Sequence, residues 1–308
     1  MLHRTAPYNK ANIVYNENMK ISPEELDRLI QELKRDKRVF LNLEEVVEIF
    51  RKGKKPKYKF IAFTLDDGYK DNLQYGYPVF KAHNIPFCIY ITDSFPNQTT
   101  TLWWYALENL ILNNATLTMP DGTKLENGRL SDMKKNFLSL RNDVINKNFK
   151  DPIGFFKQLG ECNFDLSTER KKTCLSWEEI RELAKDPLAT VGCHTVNHYP
   201  LSKLDHHEVE SEIMTSKKEL ELQLNKKVKH FAFPFGSENE AGTREYEIAK
   251  SIGFDSIVTT MHGHIRLSDN PQRFDRIFLS PLRIGSGLLM REMYWNIKSI
   301  VTTARKFF

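Results

Sequence analysis

No apolar run in the sequence approaches the ~18 residues needed to cross a bilayer, so no membrane-spanning helix is expected. The first residues, Met1-Leu2-His3-Arg4-Thr5, lack the apolar stretch of a secretory signal, which favours a cytoplasmic location. The four cysteines, Cys88, Cys162, Cys174 and Cys193, form no CxxC pair and no disulfide-framework spacing. Cys88 and Cys193 fall inside apolar runs, where a thiol serves as a small hydrophobe, and a reducing compartment fits that usage. There is no internal repeat and no low-complexity tract. Nor is there a large excess of one charge: 45 basic against 40 acidic residues leave +5, too little to point to a nucleic-acid partner. Locally, Arg51, Lys52, Lys54, Lys55, Lys57 and Lys59 cluster, as a solvated linker would or as a surface for anionic lipid or polysaccharide.

What is present reads as helices alternating with strands. Ser22-Pro23-Glu24-Glu25 combines a capping residue, proline at the first helical position and a capping box. Leu26, Leu29, Ile30 and Leu33 then follow at helical spacing. A second helix is expected after Asn42. The run Phe60–Leu65 predicts a strand ending at Asp66-Asp67-Gly68, and a helical stretch near residues 72–83 leads to a second strand over 86–91. Nearly continuous apolar strands separated by helices indicate a parallel sheet covered on both faces. Residues 93–172, with Trp103-Trp104-Tyr105 and a turn at Asp121-Gly122, break this rhythm and read as a mostly helical insertion.

The alternation resumes with a capping box at Ser176, a strand over 189–193 and a long helix capped by Asp205. Strands over 228–233 and 254–260 flank a helix over 243–252, and a last strand is expected over 277–279. One α/β domain over residues 1–308, barrel-like or doubly wound, accommodates these βα units.

Each polar cluster follows the carboxyl end of a predicted strand, the edge at which parallel α/β folds gather their active-site loops. His194 and His198 are one helical turn apart and can face one ion if the chain coils after Cys193. Alone, such a pair describes surface or capping histidines more often than ligands. With Asp67 it becomes two imidazoles and a carboxylate, a set that suits Zn²⁺ and leaves positions open for water and substrate. Other divalent first-row metals use the same ligands. Asp66 and Asp67 are poorly placed as a glycosidase pair, because neighbouring strand residues point to opposite faces. Separate duties fit them better, one as metal ligand and one as proton acceptor. A plain strand-terminating turn is the alternative.

At these residues the sequence closely resembles the polysaccharide deacetylase family, the NodB-homology group of carbohydrate esterases. Thr64-Leu65-Asp66-Asp67-Gly68 resembles the family's TFDDG motif with Leu65 in place of Phe, and His194-Thr195-Val196-Asn197-His198 matches H-[S/T]-x-x-H. Phe231-Ala232-Phe233-Pro234-Phe235-Gly236 is similar to a variant of the third motif. The resemblance implies an α/β fold, a distorted (β/α) barrel with fewer than eight complete units. It implies Asp66 as general base, Asp67, His194 and His198 as ligands of one divalent ion, expected to be zinc, and the Phe235 backbone N–H as oxyanion donor. The implied reaction removes the N-acetyl group from an amino sugar of a polysaccharide, oligosaccharide or glycolipid.

The sequence departs from the family at two places. The third-motif Arg that orients the base is replaced by Ala232, with Arg276 or Arg283 as candidates to stand in. The closing Leu-x-His motif, source of the general acid, reads Leu279-Ser280-Pro281, leaving His262 or His264 as candidates. Trp103, Trp104 and Arg283 are candidate substrate contacts. His3 is expected to hydrogen-bond at the barrel rim and His230 to be structural. Residues 288–308 are expected to form a helix whose basic and aromatic residues suit either barrel closure or an anionic membrane surface, the inner face of a bacterial cell membrane by resemblance. The rival functions are a same-fold hydrolase of a small cyclic amide and a non-catalytic carbohydrate-binding relative.

Overall fold

The protein is described by a computed structural model over residues 1–8, 14–54, 56–266, 270 and 272–279. Six strands form its central sheet: β1 (Phe63–Leu65), β2 (Phe87–Ile91), β3 (Ala189–Cys193), β4 (His230–Ala232), β5 (Ser256–His262) and β6 (Arg273–Arg276). Each pairs in parallel with the strand before it. Their order across the sheet follows the chain without reversal. A doubly wound sheet reverses at a switch point, whereas a sheet that always adds its next strand on the same side curls into a barrel. The fold is therefore a distorted (β/α) barrel of fewer than eight units. Its seam is bridged by the first residues: Leu2 N–H donates to Thr64 O (2.8 Å), Asp66 N–H to Leu2 O (3.0 Å), and Leu279 N–H to Met1 O (3.0 Å).

Helices α1 (Pro23–Arg35) and α2 (Leu43–Lys52) start at capping boxes on Ser22 and Asn42. Helix α3 (Tyr77–His83) joins β1 to β2. Between β2 and β3 lie α4 (Trp103–Asn113), an antiparallel hairpin of Thr116–Thr118 with Lys124–Glu126, α5 (Leu130–Asp143), α6 (Pro152–Leu159) and α7 (Leu166–Thr173). This helical segment has its own apolar cluster, centred on Leu107, Leu110, Phe137, Leu140 and Phe156. Helices α8 (Trp177–Leu183), α9 (His206–Leu224) and α10 (Thr243–Ser251) complete the outer layer, the first two from capping boxes on Ser176 and Asp205.

Alternation along β2 divides the core. Phe87, Ile89 and Ile91 face the helices, while Cys88 and Tyr90 turn inward to Ala232, Val258 and Phe274. Val46, Val47 and Phe50 of α2 plug the floor of that interior. A Cβ on Gly192 would lie 2.4 Å from the Tyr90 ring, so β3 can pass the ring only as glycine. One end of the barrel is thus filled with side chains, which leaves the other for polar groups.

Two expected strands differ from the observed ones. The run over 60–65 is split, because Phe60–Ile61 pairs with Val39–Phe40 in a separate small sheet at the entry to α2. The last strand is Arg273–Arg276 rather than residues 277–279. Two of its polar side chains find partners on β5 and just past β1: Asp275 accepts from Thr259 Oγ1 at 2.9 Å and Arg276 is ion-paired to Asp66. Ile277 O instead accepts from the Met1 amino group at 2.8 Å. Arg283 and the expected helix over 288–308 lie outside the described residues.

Candidate active site

The carboxyl ends of β1, β3, β4 and β6 converge on one group of side chains. β1 ends at Leu65, and Asp66 is 1% exposed with its carboxylate turned toward β6. Arg276 Nη1 and Nη2 each donate to an Asp66 oxygen at 2.7 Å. Its Nε donates to Thr259 O at 2.7 Å and Nη1 also to Thr64 Oγ1 at 3.2 Å, so the guanidinium is held on both sides. Burial, the largest single influence, would push the Asp66 carboxyl up; the Arg276 charge and hydrogen bonds, with the neighbouring His194 and His3, together hold the group below its usual range. Of the two arginines considered as replacements for the third-motif residue, Arg276 pairs with the candidate base Asp66, and Arg283 lies outside the described residues. Local sequence could not single it out, since a buried Arg and an exposed Arg at a strand end look alike.

Asp67 adopts φ +77°, and Gly68 follows at +98°. This left-handed turn swings the Asp67 carboxylate away from Asp66 and toward the histidines. Asp67 Oδ1 lies 3.3 Å from His194 Nε2 and 3.3 Å from His198 Nε2. The two imidazoles are 5.0 Å apart. They do not sit on a helical turn, as the spacing suggests; the chain is irregular there, with Thr195 at φ +67° and His198 at φ +58°. A helical turn would continue the direction of β3, whereas the left-handed residues fold the loop back over the barrel mouth. Non-glycine residues held in this region cost on the order of 1–3 kcal/mol each and persist where surrounding contacts over-determine them.

Those contacts are present. Glu212 of α9 accepts from Val196 N–H (3.1 Å), Asn197 N–H (2.9 Å) and Asn197 Nδ2 (2.6 Å). Asp93 N–H and Ser94 N–H donate to Thr195 O and Val196 O at 3.1 and 2.8 Å. Thr195 Oγ1 accepts from His198 N–H at 3.2 Å. Glu212 carries no motif signal; it lies on an amphipathic helix and would pass as a surface residue.

The polar atoms fit a cation. His194 Nδ1 lies 2.8 Å from Ala232 O, a carbonyl that can only accept, so the proton sits on Nδ1 and the Nε2 lone pair faces Asp67. Asp67 Oδ1 is buried without a hydrogen-bond partner among the described residues. One oxygen and two ring nitrogens that all lie within 4.8 Å of one another can hold a metal ion.

The remaining candidates divide. Phe235, at φ +58°, has a backbone N–H with no hydrogen-bond partner among the described residues, and its ring packs 4.9 Å from the His198 ring. Trp104 sits edge-on to His198 at 6.0 Å, with a buried indole Nε1 that has no hydrogen-bond partner among the described residues. Trp103 packs into the apolar core of the helical segment and also lines a small cavity beside His198. Trp104, Ile145, Phe149, Tyr199 and Phe235 line the same cavity. His262, the last residue of β5 and paired with Arg276 of β6, and His264 just beyond it are both exposed and do not join the Asp67, His194 and His198 group. His3 Nδ1 is buried without a hydrogen-bond partner among the described residues, where a bond at the rim was expected; the ring packs edge-on to Phe278 at 5.4 Å. His230 is structural, its Nδ1 2.8 Å from Ser256 Oγ.

Among the described residues no helix is long and apolar enough to cross a membrane. The sequence profile of the polysaccharide deacetylase family matches residues 53–257. No functionally curated protein is similar enough in sequence to count as a match. Among solved structures, a Streptococcus pyogenes deacetylase, PplD, in complex with acetate is 18% identical, with TM-score 0.63 over 94% of this chain and 95% of its own. IcaB from Ammonifex degensii is 18% identical, with TM-score 0.58 over 92% and 91%. A de-N-acetylase from Aggregatibacter actinomycetemcomitans is 14% identical, with TM-score 0.56 over 91% and 93%. At these identities the likeness is one of fold.

Proposed function

We propose, for a chain that belongs to the polysaccharide deacetylase family, that it removes N-acetyl groups from an amino sugar with the help of one divalent ion. The observation that carries this reading is the convergence of Asp67 Oδ1, His194 Nε2 and His198 Nε2 beside a second carboxylate, Asp66, already engaged by Arg276. Zn²⁺ is the ion proposed, because two imidazoles and one carboxylate leave coordination positions open. When bound it would polarise the amide carbonyl and make water easier to deprotonate.

The chain's own residues supply the rest. Asp66, kept ionised and oriented by Arg276, accepts a proton from the attacking water. The free Phe235 N–H stabilises the oxyanion of the tetrahedral intermediate. Trp104, beside His198, presents an apolar ring face and a free indole N–H, a combination that suits a sugar with both CH faces and hydroxyls. A site built only to bind a saccharide gains nothing from a clamped carboxylate beside three metal-ligating atoms, which favours catalysis over the non-catalytic reading. The composition of residues 288–308 supports a contact with anionic membrane surfaces, tested by comparing liposome co-sedimentation of the whole chain and one ending at residue 287.

The test of the main reading joins metal analysis to acetate release from a panel of N-acetylated oligosaccharides, with small cyclic amides run in parallel. About one zinc per chain and acetate release abolished by chelation are expected. Zinc-independent turnover, or turnover of cyclic amides alone, would overturn it.

A further inference from the structure

Arg141 lies in the last turn of α5 with its guanidinium carbon 6.0 Å from the centre of the Phe235 ring. The same ring packs against His198, so a single aromatic side chain separates Arg141 from a candidate metal ligand. Arg141 is partly buried, yet among the described residues its side chain makes no hydrogen bond and no ion pair. The other arginines of this region are satisfied: Arg276 by Asp66, Arg4 by Asp71, Arg170 by the carbonyls of Thr99 and Thr100. Withdrawing a cation from water without giving it an anion costs free energy, and burial pushes the Arg141 guanidinium below its usual value.

Structural roles do not account for it. A basic residue near a helix end can offset the exposed carbonyls there, but the helical hydrogen bonding continues through a wide turn, Val144–Asn148, and Val144 N–H itself donates to Arg141 O. The distance to Phe235 is at the outer limit of ~6 Å for a cation over a ring. The acidic group that acts on Arg141 most strongly is Glu240, whose carboxylate accepts from the Ser237 hydroxyl and does not reach ion-pairing distance. Val144 and Ile145, three and four residues on and so on the same face of the helix, line the cavity beside His198. One helix thus carries both a wall of that cavity and, a turn away, a cation with no anion. Wide turns of this kind are frequent at functional sites.

We propose that Arg141 binds an anionic group, a carboxylate or a phosphate ester, carried by the saccharide next to the N-acetyl sugar that is hydrolysed. The inference rests on the deacetylase reading for its location and narrows the substrate to an acidic glycan. Arg141 is a recognition residue; it takes no part in the chemistry at Asp66.

The probes are three tetrasaccharides containing N-acetylglucosamine: one alternating with glucuronate, one bearing a phosphate ester, and one neutral. Calorimetry on the zinc-loaded full chain carrying Asp66→Asn, which prevents turnover, gives affinities with and without Arg141→Gln. Acetate release by the chain with Asp66 intact gives kcat/KM. An acidic probe is expected to bind more tightly than the neutral one, and Arg141→Gln to lower that affinity by about 10- to 100-fold, the range for losing a hydrogen bond to a charged group. Arg141→Lys should retain part of the difference and show a steeper salt dependence. Comparison of the two acidic probes tells carboxylate from phosphate. Equal affinities for all three, or an acidic preference that survives Arg141→Gln, would overturn the proposal. Arg141-dependent binding without acetate release would instead count against the deacetylase reading and leave the anion site standing.

Discussion

Arg276 grips Asp66 with both terminal nitrogens, 2.7 Å to each carboxylate oxygen, although 210 residues separate them in the chain. Asp66 is 1% exposed and Arg276 6% exposed, so neither charge is shared with solvent. The pair spans the barrel seam from β6 to the end of β1. It orients a candidate base and at the same time ties together the two edges of the sheet.

Removing one partner of such a pair leaves a buried charge uncompensated, which costs on the order of 3–5 kcal/mol. Arg276→Leu is therefore expected to lower the unfolding free energy by about that amount, read by urea denaturation. Asp66→Asn in the same chain should recover part of the loss, because the stranded carboxylate is gone. If the double variant is as unstable as the sum of the two single variants, the pair is not coupled as described.

The adjacent carboxylates should separate by function. Asp66→Asn is expected to retain zinc while losing turnover by about 10²–10⁴-fold, the usual weight of a general base. Asp67→Asn, and His194→Ala or His198→Ala, should lose zinc itself. Metal content by mass spectrometry checks the division without reference to activity. Zinc retained by the double histidine variant would remove the ligand assignment.

Gly192→Ala introduces a Cβ 2.4 Å from the Tyr90 ring and 3.1 Å from His230 O. Overpacking of this kind costs about 1–3 kcal/mol. A fall in the urea midpoint is expected, with partial recovery when Tyr90→Leu makes room. A variant as stable as the parent would show that β2 and β3 can part more readily than their packing indicates.

Asp93, buried behind the histidine loop and accepting from Ser216 Oγ at 2.7 Å, has its carboxyl pushed up to about 7, mainly by burial, with the charges of Glu219 and Glu212 adding to it and the Ser216 hydrogen bond opposing it. Because the unfolded chain releases this proton near pH 4, the folded state holds one more proton between pH ~4 and ~7. Stability should fall as pH rises through that window and level off above it, a contribution on the order of 4 kcal/mol. Asp93→Asn is expected to flatten the slope of unfolding free energy against pH between 4 and 7. An unchanged slope would place the proton elsewhere.

Much of the frame was legible because its signals are local. Capping boxes at Ser22, Asn42, Ser176 and Asp205 depend on residues three apart, and all four start helices at those positions. The parallel sheet followed from apolar runs separated by helices. The run over 60–65 shows where local reading ends, since apolar content alone cannot say which of two neighbouring sheets takes Phe60 and Ile61. Arg273-Phe274-Asp275-Arg276 failed as a visible strand for the opposite reason: the charges of Asp275 and Arg276 find their partners at Thr259 and Asp66, outside the segment itself.

By itself the sequence determined that carboxylates and imidazoles follow strand ends, and so that they belong to one edge of a parallel sheet. The tertiary structure decided how those groups face one another. Left-handed residues at Asp67, Thr195 and His198 turn three candidate ligand atoms toward one point where a helical turn was expected, and Glu212 holds that loop from a distant helix. It also decided that Arg276 pairs with Asp66 and that Arg141 has no anion among the described residues. Such choices depend on desolvation and on partners hundreds of residues away, and the charge of an arginine in sequence carries neither.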